Sequence, residues 1–134
     1  MNHANIQSVL NEYKQVGVQN NVTDASPHRL VQMLMEGALE RISTAKGHMM
    51  HNRFADKSRF ISSAISIIDG LRSSLDFDKG GEIAANLEAL YDYMNRRLLE
   101  ANVSNNCDYL DEVHSLMSEI KSGWDAIAGE ASKL

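Results

Sequence analysis

Apolar residues recur at three- and four-residue steps through most of the chain, in four separable stretches. The first carries Leu30, Leu34, Gly37, Ala38, Arg41, Ile42, Ala45 and Met49 on one face, the period of an amphipathic helix. Ser26-Pro27 just ahead of it reads as an N-cap and a first helical position, where a missing N–H is harmless. The spacing predicts a helix over 27–51, on the order of 35 Å long at ~1.5 Å per residue. Arg41 falls inside this stripe and is expected to carry its charge to the edge. After a break at Asn52-Arg53, a stripe of Ile61, Ala64, Ile65, Ile68, Leu71 and Leu75 predicts a second helix over 55–75. Residues 76–81 should end it, since Gly80 and Gly81 are free to take left-handed backbone angles. Ile83, Leu87, Leu90, Tyr91, Met94, Leu98 and Ala101 predict a third helix over 82–103, with Ile83, Leu87, Leu90, Met94 and Ala101 on its core line. Residues 104–108 make a polar turn, with Asp108 the expected next N-cap. Tyr109, Val113, Leu116, Met117, Ile120, Trp124 and Ile127 predict a fourth helix.

No segment sustains period-two alternation, so no sheet is expected. Four long amphipathic helices on short loops fit an all-α fold, an antiparallel up-down four-helix bundle. Ahead of them Ile6, Val9, Leu10, Tyr13 and Val16 make a shorter stripe, followed by Gly17 and the polar run Gln19-Asn20-Asn21. This predicts an additional short N-terminal helix on a hinge. The expected organisation is one helical-bundle domain over 1–134, with a mobile N-terminal segment 1–25, a bundle 26–128 and a frayed tail 129–134.

Composition narrows the function. With 43% apolar residues in 134, the chain can build a core. Residues 1–75 hold eight basic and six acidic residues, whereas 76–134 hold five basic and twelve acidic. The net charge of −5 argues against a nucleic-acid footprint, and a partner of the C-terminal half should be neutral or basic. One cysteine, Cys107, excludes an intrachain disulfide and suits the cytosol. The start, MNHANIQSV, has neither a basic n-region nor an apolar run, and no stretch nears the ~20 apolar residues of a membrane span.

Catalytic and metal patterns are weak. Asp111-x-x-His114 and His48-x-x-His51 approach the Glu-x-x-His pairs of di-iron bundles without matching them. Gly80-Gly81 is not a phosphate loop, and Cys107 has no neighbouring His in sequence. Neither an enzyme nor a cofactor is expected. The apolar faces say more. Val31, Met33, Met35 and Leu39 widen the first stripe, Phe60 and Ile67 the second, Tyr93 and Leu99 the third. Seven methionines add adaptable apolar surface. Such width means either a broad core or a groove that receives another amphipathic helix.

Three stretches go beyond pattern: ASPHRLVQMLMEGAL (25–39), AISIIDGLRSSLDFDKGGE (64–82) and NLEALYDYMNRRLLEAN (86–102). With Tyr13-Lys14-Gln15-Val16 and DEVHSLMSEIKSGWDAI (111–127), they closely resemble the flagellin-specific export chaperones of the FliS family. The resemblance implies a cytosolic helical bundle that holds the C-terminal segment of flagellin. It would prevent premature polymerisation and keep the subunit competent for the flagellar type III export apparatus. It also implies that the N-terminal segment covers part of the client-binding surface. The client-binding candidates are Ile6, Leu10, Tyr13, Met33, Met35, Tyr91, Tyr93, Leu98 and Leu99. The alternatives are a self-associating module, including a homodimer when free of client, and a metal-binding bundle.

Overall fold

A computed structural model describes residues 25–127. The stripe at residues 6–16, with Ile6, Leu10 and Tyr13, and the tail from 128 lie outside the described residues. Four helices follow one another: α1 (Pro27–Met50), α2 (Phe54–Ser73), α3 (Phe77–Ser104) and α4 (Cys107–Ala126). No strand occurs among the described residues.

The starts follow from short polar side chains. Ser26 Oγ accepts from the Arg29 N–H at 3.1 Å, satisfying one of the free amides of the first turn. Asp76 Oδ1 accepts from the Asp78 and Lys79 N–H groups at 3.1 and 3.0 Å. Asn106, not Asp108, caps α4: its Oδ1 accepts from the Asp108 N–H at 2.9 Å. Asp108 lies inside the first turn, where its carboxylate faces the positive end of the helix dipole.

Residues 76–81 hold a helix start rather than a helix end. α2 stops at Ser73, and Asp76 opens α3. Gly81 then bends α3 after one turn, with φ 50° and ψ −124°, a conformation only glycine takes cheaply.

Each helix packs chiefly on two others: α1 on α2 and α4, and α3 on the same pair. Polar ties join each pair of packed helices. Lys57 Nζ donates to the Asn102 carbonyl at 2.8 Å, while Arg72 pairs with Glu88 and, at 3.3 Å, with Asp92. Trp124 Nε1 donates to the His28 carbonyl at 3.0 Å, and Lys46 pairs with Asp111 at 2.8 Å.

The core is aliphatic and methionine-rich: Leu34, Ile42 and Met49 from α1, Ile61, Ile68 and Leu71 from α2, Met94 and Leu98 from α3, Leu110 and Met117 from α4. Arg41 remains buried, its Nε donating to Ser63 Oγ at 3.2 Å and its Nη1 reaching the exposed Glu40 at 2.9 Å. On α3 the core line runs through Ala84, Tyr91, Met94, Asn95, Leu98 and Ala101. Ile83 and Leu90, expected in the core, are exposed. They stand one position before Ala84 and Tyr91, about 100° round the helix from each.

Candidate functional site

The described candidates divide sharply. Met33, Met35, Tyr91 and Leu98 are 5, 1, 2 and 0% exposed; they fill the core, and reaching them requires helices to part. Burial raises the Tyr91 pKa above that of free tyrosine. Tyr93 and Leu99 reach the surface, on different sides of α3, since six residues turn a helix by about 240°.

Tyr93 belongs to a strut between α3 and α4. Its hydroxyl donates to Glu112 Oε2 at 2.5 Å, and Arg97 Nε donates to Glu112 Oε1 at 2.8 Å. The Arg97 guanidinium lies 4.1 Å from the Tyr109 ring and 5.8 Å from the Tyr93 ring, within cation–π range. The Tyr93 hydroxyl, then Arg97, hold the Glu112 carboxyl below the usual glutamate pKa. The same bond to Glu112 raises the Tyr93 pKa.

This strut sets the register of the two helices. One turn back along α3 and one turn on along α4 it aligns Leu90 with Leu116; a further turn aligns Leu87 with Ile120. Leu87, Leu116 and Ile120 are half-buried against the core, while Ile83 and Leu90 open to solvent. By that register, helix geometry puts these five side chains on one face, as a shallow apolar groove along the first half of α3 and the second half of α4. The sequence pattern hides it, since apolar spacing alone assigns Ile83 and Leu90 to the core. The signal was present: Ala84, Tyr91 and Leu98 form a seven-residue line, and Ile83 and Leu90 flank it.

Phe54, at the start of α2, and Leu99 and Val103, near the end of α3, are exposed apolar side chains flanking in sequence the Lys57–Asn102 tie. The Lys57 ammonium lies 5.6 Å from the Phe54 ring, and burial lowers its pKa. Among the described residues no three His, Cys, Asp or Glu side chains converge on one metal position. A small depression of about 200 Å³ between α1 and α4 is crossed by the Lys46–Asp111 pair. No helix among the described residues is long and apolar enough to cross a membrane.

The family model for flagellar protein FliS matches residues 9–131. This chain belongs to the FliS family. It is 50% identical over 119 residues to flagellar secretion chaperone FliSB of Pseudomonas aeruginosa, covering 89% of this chain and 94% of that protein. It is 44% identical over 126 residues to flagellar secretion chaperone FliS of Salmonella typhimurium, covering 93% of each. To FliS of Bacillus subtilis it is 33% identical over 106 residues, 79% of this chain and 78% of that protein. FliS proteins are chaperones of flagellar secretion, not enzymes.

Proposed function

We propose that this chain binds the C-terminal segment of flagellin in the cytosol, prevents its premature polymerisation and keeps it competent for the flagellar export apparatus. The observation that carries the reading is the match to FliS over residues 9–131, with relatives named flagellar secretion chaperones. The groove of Ile83, Leu87, Leu90, Leu116 and Ile120 supplies a physical means. A client helix laid there buries its apolar stripe, and ordering a disordered segment leaves the affinity reversible.

In this reading the four helices run up and down as one bundle within a single domain. Tyr93 and Leu99 meet the client at the surface, whereas Met33, Met35, Tyr91 and Leu98 act by shaping the core beneath it. Ile6, Leu10 and Tyr13 compete with the client for the apolar surface and lower its apparent affinity.

Calorimetry of the full chain with a flagellin C-terminal peptide tests the reading. The expected result is one-to-one binding with a negative heat-capacity change and a gain in helical circular dichroism. Absence of binding, or binding without added helix, overturns it. Hydrogen exchange at residues 4–16 is expected to rise when client binds; unchanged exchange removes the competition. Light scattering without client identifies the competing outcome, self-association through the same faces.

A further inference from the structure

The groove between α3 and α4 has a charge pattern of its own. Most carboxylates of the described helices are engaged. Glu36, Glu40, Glu88, Asp92, Glu100, Asp111, Glu112 and Asp125 make ion pairs, and Asp69 accepts from Asn95. Beyond the first turn of each helix, Glu82 and Glu119 are the described carboxylates left without an ion pair or hydrogen bond. Both are exposed, and both border the groove. Glu82 stands next to Ile83 on α3, and Glu119 next to Ile120 on α4. The cations nearest in sequence do not neutralise them. Lys121 is held by Asp125 at 2.8 Å and Glu36 at 3.6 Å, on the α1 side of α4. Lys79 precedes the Gly81 bend.

We infer that this groove selects an amphipathic helix with Lys or Arg on both polar flanks, and that Glu82 and Glu119 are its specificity-determining residues. The inference rests on the client-binding reading above and adds the chemistry of the occupant. The apolar floor supplies contact that any amphipathic helix can use, so it does not discriminate among helices. An unpaired carboxylate on each lip does: it attracts a cation and repels a second carboxylate. In the register of the strut, Glu119 lies beside residue 88 of α3, six residues from Glu82. At ~1.5 Å per residue the two charges are about 9 Å apart along the groove. The matching helix therefore carries one basic residue on each flank, offset by between one and two turns.

Two synthetic peptides of about 18 residues, five helical turns, test this. They share one Leu/Ile stripe; the flanks of one carry Lys, of the other Glu. Affinities are measured by fluorescence anisotropy with the full chain. The Lys peptide is expected to bind about tenfold more tightly, the scale of two exposed ion pairs. Charge reversal in the Glu82→Lys/Glu119→Lys double variant should invert the order, and about 0.5 M salt should shrink the gap. Neither residue has a partner to lose, so the double variant keeps its fold. Leu90→Gln, which removes apolar contact without adding charge, should weaken both peptides alike. Equal binding of the two peptides, no binding of either, or a preference that survives the double variant overturns the inference. A flagellin C-terminal peptide run alongside separates the two claims. If it binds while the synthetic pair shows no charge preference, the client reading stands and this inference falls. If it fails to bind while the Lys peptide binds in the charge-dependent way, the reverse holds.

Discussion

At the scale of single residues, exposure decides which apolar side chains serve folding and which serve contact. Leu98 is fully enclosed, whereas Ile83 is 57% exposed. Leu98→Ala should lower stability by ~2–5 kcal/mol, the cost of a large-to-small change in a packed core. Ile83→Ala should stay within about 0.5 kcal/mol, as surface changes do, yet weaken a bound helix. Urea denaturation of both variants, paired with client titration, checks this; comparable destabilisation would place Ile83 in the core after all. Glu112 gives a pH signature. Its pKa is depressed in the folded state, so its contribution is fully present above the unfolded value and is lost as pH falls through the folded one. The stability gap between wild type and Glu112→Gln should be present at about pH 7 and shrink as pH falls below the ordinary glutamate range. A gap independent of pH would mean that the carboxylate charge is not what ties Tyr93 and Arg97 to α4.

At the scale of elements, the four helices were legible because their apolar spacing is unambiguous, and Ser26-Pro27 marked the start of α1 to the residue. The start of α3 was not. Asp76 is a good N-cap and Gly81 a good C-cap, and the same six residues satisfy either rule. The structure takes the first: Asp76 Oδ1 accepts from the Asp78 and Lys79 N–H groups, and Gly81 becomes a bend at φ 50°. The groove was hidden for a related reason. A tally of apolar positions cannot separate a buried line anchored by Ala84 and Asn95 from an exposed flank of Ile83 and Leu90. Gly81→Ala puts the bend to the test. No heavy atom lies within 4 Å of the added Cβ, so the cost comes from the backbone angle alone. It should be about 1–3 kcal/mol in thermal or urea unfolding. A neutral result would show that α3 straightens freely at this point.

At the scale of the whole molecule, charge and apolar surface are divided unequally along the chain. Residues 76–134 hold twelve of the eighteen acidic residues, and ion pairs from Lys46 on α1 and Arg72 on α2 absorb Asp111, Glu88 and Asp92. Among the described carboxylates beyond the first turns, the uncompensated pair Glu82 and Glu119 borders the groove, so part of the overall acidity acts locally, at the lips of one surface. The opposite end of α4 has a different use. Cys107 is the one thiol in 134 residues, partly covered at the first position of α4 with its Sγ 3.6 Å from Met49 Sδ on α1. A maleimide therefore labels each molecule once, and does so faster whenever α1 and α4 part at that end. Alkylation kinetics would then time the breathing of the bundle directly, with no engineered reporter.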